Sequence, residues 1–235
     1  MKTDNTKELL IIFTRNPELG KVKTRLAKDI GDEAALALYQ FLLEHTVSVT
    51  APLKMDKQVF YSEEIQENDI WDSDIFNKKL QIGQDLGEKM ENAFREAFSE
   101  NYKSVMIIGS DLYDIKIEDL ENAFFQLKTH DEVIGPAKDG GYYLLGMKSL
   151  NSSVFKNKKW STNTVFKETL KDLKNKKVKN LGVSLRGMEG EHILISGQTP
   201  EHLNLDYRVK ILETRNDIDE VSDVKEHPEL LKFIK

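Results

Sequence analysis

A dense run of cationic side chains follows directly on a short apolar stretch near the start of the chain. After Leu9-Leu10-Ile11-Ile12-Phe13 the sequence reads Thr14-Arg15-Asn16-Pro17-Glu18-Leu19-Gly20-Lys21-Val22-Lys23-Thr24-Arg25-Leu26. A buried strand that empties into such a loop offers turn amides, a glycine that permits close approach, and the long cations Lys21, Lys23 and Arg25. Together these are what a di- or triphosphate needs. The plain alternative is a solvated turn whose lysines bind nothing, and the segment alone does not separate the two.

Three further places carry chemistry. Gly109-Ser110-Asp111 ends the most apolar run of the chain, Val105-Met106-Ile107-Ile108. In open α/β sheets ligands sit at the carboxyl ends of strands, so Asp111 there suits a hard divalent cation, Mg2+ or Mn2+, held against phosphate. A capping role for Asp111 is the competing expectation. Gly135-Pro136-Ala137-Lys138-Asp139-Gly140-Gly141-Tyr142-Tyr143 reads first as a tight hairpin turn, with Lys138 and Asp139 at a tip that could meet an acceptor substrate. In Asn216-Asp217-Ile218-Asp219-Glu220, alternation sends Asp217 and Asp219 to one side, where two carboxylates repel unless a cation joins them. Ser222 or Asp223 then starts a last helix.

The elements that must position these residues alternate short apolar runs with segments of helical period, the pattern of an α/β sheet with helices on its faces. Strands are expected at 9–13, 58–61, 105–108, 133–134 and 142–145. Helices are expected from Gly31 or Asp32 to Val49, at 86–98 with Leu86, Met90, Ala93, Phe94 and Ala97 on one face, around 120–127, at 165–173, and from 221 to 233 with a break at Pro228. The stretch from Glu63 to Asp74 reads as loop and short helix, with Trp71 and Ile75 as anchors. Trp160-Ser161-Thr162 reads as a helix start with Ser161 or Thr162 as cap. The 186–207 segment reads as an inserted hairpin within a single domain spanning 1–235.

At 235 residues the chain can bury a large core, and its net charge of -6 argues against a nucleic-acid partner. It contains no cysteine, which excludes disulfides, thiolate metal sites and a cysteine nucleophile. No stretch has the length of a signal peptide or a membrane span, so the expectation is a cytoplasmic protein, monomer or homodimer, with small-molecule partners. The five histidines show no ligand spacing. The nine lysines between Lys156 and Lys179 read as a solvated helix face.

Taken together the motifs resemble the DUF2064 group of nucleotide-diphospho-sugar transferase-like proteins, also called radical-SAM/selenodomain-associated transferases. More distantly they are similar to the phospholactate or phosphoenolpyruvate guanylyltransferases and the molybdenum-cofactor guanylyltransferases. The pieces that carry the resemblance are the loop from Phe13 to Leu26, Gln84-Asp85-Leu86-Gly87-Glu88-Lys89-Met90, Gly109-Ser110-Asp111, the segment Gly135 to Gly146, Trp160-Ser161-Thr162 and Asp217-Ile218-Asp219. The resemblance implies a GT-A fold, a Rossmann-like three-layer α/β/α sandwich with a mainly parallel, mixed sheet. It implies that Arg15, Gly20, Lys21, Lys23, Thr24 and Arg25 hold the phosphates of an NTP or NDP-sugar, with Lys23, Arg25 and Asp111 acting in the chemistry. Gln84 and Gly87 would lie near the base or ribose. Asp111, Asp217 and Asp219 would hold Mg2+ or Mn2+, and Lys138, Asp139, Gly140, Gly141, Trp160, Ser161 and Thr162 would border the acceptor. Three positions depart from the family pattern: Leu112-Tyr113 stand where a small or sulfur residue and Pro are usual, and Glu220 where Thr is usual. The expected activity is metal-dependent glycosyl or nucleotidyl transfer; a non-catalytic nucleotide-binding or scaffold protein on the same fold is the alternative.

Overall fold

The computed structural model describes residues 7–180 and 208–234. Seven strands form one sheet: β1 (Glu8–Thr14), β2 (Asp56–Tyr61), β3 (Asn77–Leu80), β4 (Ser104–Gly109), β5 (Glu132–Pro136), β6 (Tyr142–Met147) and β7 (Val209–Ile211). Their spatial order is β3-β2-β1-β4-β6-β5-β7. β6 is antiparallel to both its neighbours, and the other pairings are parallel. The apolar runs at 9–12 and 105–108 are the inner strands β1 and β4, buried on both faces, which is why they carry no alternation.

The side chains of β1 sort by parity. Leu10 and Ile12 join α2 (Asp32–Thr50) and α4 (Ile117–Thr129) in one core through Tyr39, Leu43, Leu120 and Phe124. Leu9 and Ile11 face α3 (Leu86–Ser99), α5 (Val165–Asn180) and a short 3-10 helix at Ser152–Phe155. Helices thus cover both faces of the sheet, and the three-layer α/β/α architecture with a mainly parallel sheet stands as the motifs imply. The strand order reverses between β1 and β4, so a crevice opens beyond their carboxyl ends.

A third apolar cluster lies at that end. Leu26 from α1 (Thr24–Ile30), Leu38 and Leu42 from α2, Ile218, Val224 from α6 (Val221–Lys225), and Leu230 from a 3-10 helix at Pro228–Phe233 are all fully buried together. The break at Pro228 is observed, with the proline at the first turn of the new helix.

Several expectations change. α1 precedes the expected helix, with Gly31 in positive φ closing one helix and opening the next. The segment from Glu63 to Asp74 contains bends and turns and no helix. Its aromatic anchors are Trp71 and Phe76, edge to face at 5.1 Å, whereas Ile75 is exposed. Leu86 stands off the buried face of α3, also exposed. β3 and β7 are additional edge strands, too polar or too short for an apolar run to reveal. Helix α5 starts at Val165, so Ser161 and Thr162 belong to the turn ahead of it, with Ser161 in positive φ. Glu220 caps α6, and Asp223 closes the capping box from its third position. The 186–207 segment lies outside the described residues.

Candidate active site

The crevice beyond β1 and β4 gathers side chains that are far apart in sequence. Lys23 sits at the N-cap of α1 in the left-handed region, φ 46 and ψ 42. That turn aims its side chain inward, where Nζ donates to Asp111 Oδ2 at 2.7 Å and to Asp219 Oδ1 at 3.1 Å. The lysine side chain is 3% exposed, while the Asp111 and Asp219 carboxylates are 39% and 37% exposed. Arg25 NH1 lies 3.7 Å from the other oxygen of Asp219 and is largely solvated.

Packing explains why these groups meet. Leu26 and Ile218 are both buried in the third apolar cluster, so α1 and the 216–219 segment are drawn together from opposite ends of the chain. With Ile218 committed inward, the acids on either side of it are turned toward the crevice. Asp219 takes the lysine, and Asp217 lines the neighbouring cavity. Asp111 is therefore an ion-pair partner, and the capping duty in this region falls to Asp223, which accepts from the amides of Asp219 and Glu220.

The electrostatics follow from this geometry. Burial pulls Lys23 down, but Asp111 and Asp219 outweigh it and hold the ammonium above its ordinary range. Burial pushes Asp111 up, and the lysine more than reverses that, leaving it below the usual carboxylate range. Asp217 is compensated less: burial, then the negative charge of Asp111, push it up to about 8 against the opposing pull of Lys23. At neutral pH Asp217 is mostly a neutral carboxylic acid.

The rest of the first loop divides. Gly20 takes positive φ at the turn, and Lys21 pairs on the surface with Glu18 at 2.7 Å and Glu63 at 3.4 Å. Arg15 and Thr24 are exposed along the loop. Gln84 is exposed in the β3–α3 loop, its amide capped by Glu88 at 2.7 Å. Gly87 is buried, and a Cβ there would fall 2.5 Å from the Trp160 ring and 2.6 Å from the Phe155 carbonyl. Gly87 thus lets Trp160 lie flat over α3.

Beside the charged cluster lies a cavity of about 240 Å³ walled by Leu86, Met90, Tyr142, Trp160 and Val165, with Asp139, Gly141, Ser161, Thr162 and Asp217 at its polar margin. The expected acceptor residues meet here, with two exceptions: Lys138 turns away to Glu226 at 3.2 Å, and Gly140 serves the turn. Gly140 sits at φ +90, where a Cβ would strike the Asn163 backbone at 2.2 Å. Asp139 accepts from the Gly141 amide at 2.8 Å, the tight turn its spacing suggests.

Three supporting residues have no motif of their own. The Tyr39 hydroxyl accepts from the Arg15 amide at 3.0 Å and lies 3.3 Å from Ser110 Oγ, which itself donates to Thr14 Oγ1 at 3.1 Å. This network ties the ends of β1 and β4 to α2. Asn16 bridges the first loop to the 62–64 turn, donating to the Glu64 carbonyl at 2.8 Å and accepting from the Glu63 amide at 3.1 Å. Arg215 donates to the Asp114 carbonyl at 2.7 Å and pairs with Asp119 at 2.7 Å, fixing the strand that leads into Asp217. A lone arginine two residues ahead of an acid pair was the available signal for the last of these, and Asn16 stood within the cationic loop without an expected role; Tyr39 offered no signal.

Whether the acids suit a divalent metal can be judged from the donor set. Asp111 and Asp219 are hard oxygen donors that already converge on one cationic centre, the Lys23 ammonium, so their chemistry fits Mg2+ or Mn2+. With that ammonium in place, no three acidic or histidine side chains among the described residues stand close enough together to hold an ion.

Fold and site together are similar to those of nucleotidyl- and nucleotide-sugar transferases. Residues 46–162 match the model of DUF2064, described as an uncharacterized protein conserved in bacteria, so the family that the motifs resemble is the one the chain matches. A 2-phospho-L-lactate guanylyltransferase from Methanocaldococcus vulcanius is 28% identical over 175 residues, covering 73% of this chain and 74% of that protein. The crystal structure of a nucleotide-diphospho-sugar transferase from Desulfovibrio desulfuricans G20 superposes with a TM-score of 0.75 at 28% identity, covering 93% of this chain and 85% of that one. The fold also extends to 4-diphosphocytidyl-2C-methyl-D-erythritol synthase from Anaerococcus prevotii, TM-score 0.52 at 10% identity over 97% of each chain. No helix among the described residues is long and apolar enough to cross a membrane.

Proposed function

We propose that this chain is a divalent-metal-dependent nucleotidyltransferase that transfers the nucleotidyl group of an NTP to the phosphate of a small acceptor and releases pyrophosphate. The observation that carries the reading is the convergence of Lys23, Arg25, Asp111 and Asp219 at the β1/β4 switch point, next to a cavity of acceptor size. The guanylyltransferase relative, matched over three quarters of its length, supports the nucleotidyl version over glycosyl transfer from an NDP-sugar.

In this reading the first-strand loop, from Arg15 through Gly20 and Lys21 to Thr24 and Arg25, cradles the triphosphate with amides and cations. Lys23 and Arg25 offset charge on the departing pyrophosphate. Asp111 and Asp219 hold the metal, with Asp217 beside them, and the metal would stabilise the charge that grows on the transferred phosphoryl group. Gln84 lies over the base or ribose, with Gly87 shaping the wall behind it. Asp139, Gly141, Trp160, Ser161 and Thr162 orient the acceptor so that its phosphate oxygen reaches the α-phosphorus in line. The protein supplies no nucleophile of its own, and the turn of Gly140 and Lys138 gives the acceptor side its shape. A cytoplasmic setting, where nucleoside triphosphates are abundant, belongs to the same reading.

Thermal unfolding with a panel of NTPs and NDP-sugars, each with and without Mg2+ or Mn2+, tests it. A ligand at about 100 times its dissociation constant adds roughly 2.7 kcal/mol. A metal-dependent rise with one NTP is expected and names the base. A rise confined to an NDP-sugar selects glycosyl transfer instead. Metal-indifferent stabilisation selects a non-catalytic nucleotide binder, a reading favoured by one observation, the ammonium already seated between the acids.

A further inference from the structure

We propose that Lys23 gates the metal site. Its ammonium occupies the place of a divalent cation between Asp111 and Asp219 until a polyphosphate in the first-strand loop draws it away, so that metal binding waits on the phosphate. The inference deepens the proposed function and rests on that reading for the identity of the polyphosphate.

The geometry is that of a resident counterion. Both carboxylates point at one nitrogen, at 2.7 and 3.1 Å, from elements 108 residues apart along the chain, Asp111 and Asp219. The lysine is buried while both acids keep open faces toward solvent, so a hydrated cation can approach the acids without reaching the place the ammonium holds. A divalent ion and an ammonium at one pair of carboxylates repel strongly at such separations, so the site takes one or the other. Lys23 also has somewhere to go. It belongs to the same loop as Gly20, Thr24 and Arg25, and its backbone is held in a left-handed conformation that an L-residue adopts at some cost. A polyphosphate bound in the loop offers more negative charge than the acids do. Transfer of the ammonium to it vacates the acids at the moment a phosphate-borne metal arrives. The ion pairs thus make ordered binding, phosphate before or with metal, a property of the resting fold.

Calorimetric titration with MnCl2 alone, on the wild type and on Lys23→Met, tests the gate without any nucleotide. Lys23→Met is expected to bind Mn2+ at least about tenfold more tightly than the wild type, and the added Asp111→Asn change to abolish that gain. Equal Mn2+ affinity in both proteins overturns the gate. Should Lys23→Met not fold, the 15N-lysine ammonium signal of the wild type decides. Mg2+ alone is expected to leave the Lys23 signal in place and inorganic pyrophosphate to move it. Displacement by Mg2+ alone, or a signal unmoved by pyrophosphate, overturns the proposal. Failure to bind any NTP sinks the transferase reading while leaving the Mn2+ gain of Lys23→Met intact, so the two failures are distinguishable.

Discussion

The two sides of the crevice are built on different principles. On the β1/β4 side, burial of Leu26 and Ile218 in one cluster brings the elements together and charge fixes their tips: Lys23 pairs with Asp111 and Asp219, and Arg215 braces the segment that leads into Asp217 and Asp219. On the β6 side, position is set by shape: Trp160 lies in a slot that exists because Gly87 has no Cβ, and Gly140 lets the neighbouring turn close on the Asn163 backbone. Asp217 lines the cavity between them, where burial and the negative charge of Asp111 push it up to about 8.

Removing charge on the first side is expected to have the largest effect. Asp111→Asn keeps the shape of the side chain but halves the negative charge that holds Lys23. If the site works as proposed, turnover falls on the order of 10³-fold, the scale on which losing one preorganised charged partner acts. The measurement is steady-state kinetics with the NTP found in the melting panel. A loss under tenfold would mean the charged side is structural.

Arg215 comes next. Its guanidinium is 14% exposed and serves Asp114 and Asp119 at once. Arg215→Met leaves two acids facing each other without a cation, and losing such a half-buried partner costs about 1–3 kcal/mol. Urea unfolding checks this, and the Tm loss should be accompanied by weaker nucleotide binding because the strand leading to Asp217 loosens. On the apolar side the matching change is Gly87→Ala. A Cβ 2.5 Å from the Trp160 ring must push the indole outward, at about 1–3 kcal/mol for overpacking. The acceptor KM should rise while nucleotide affinity holds; an equal change in both would show that the two sides are not separable.

How much of this was legible beforehand follows the same division. The strands buried on both faces announced themselves as uninterrupted apolar runs, and the sharp turns at Gly20 and Gly140 were readable because only glycine suits their φ. The acids at 111, 217 and 219 could be named from strand ends and alternation. Their actual partner could not. Lys23 looked like a phosphate ligand because the left-handed turn at the N-cap of α1, which aims it at Asp111, leaves no local mark on a lysine. Tyr39 was invisible for a related reason, since its hydroxyl acquires its role only from long-range contacts with Arg15 and Ser110. Tyr113, which departs from the family pattern, is explained by packing: its ring stacks obliquely on Phe41 at 5.9 Å and on His45 at 5.0 Å, and meets His227 edge-on at 5.0 Å, so it fastens the last 3-10 helix to α2.

Asp217 turns the comparison into a pH dependence. Its folded-state value, about 8, lies above the roughly 3.9 of an unfolded aspartate, so the folded protein keeps a proton that the unfolded chain has lost. The stability from this group is therefore complete below about pH 4 and declines as pH rises to about 8. Asp111 works in the opposite sense, but its lowered value confines its contribution to more acidic pH. Urea midpoints in EDTA between pH 5 and 9 should fall with rising pH in the wild type and stay nearly level in Asp217→Asn. A wild-type profile that is flat across this range would show that Asp217 is solvated, and the charged side open to water.

The smallest effect expected is at Lys21, and it separates the two lysines of one loop. Lys21 and Lys23 are two residues apart and equally basic by type. Lys23 has a left-handed backbone and faces inward; Lys21 stands in solvent between Glu18 and Glu63. Exposed pairs of this kind trade one solvated partner for another and contribute little to stability, so Lys21→Ala should leave the melting temperature unchanged within error. Nucleotide affinity should fall by less than about fivefold, because a cation already shared by two carboxylates has less to give a phosphate. If Lys21→Ala instead weakens binding as much as Lys23→Met does, the loop holds phosphate through both lysines, and burial would no longer mark the one that matters.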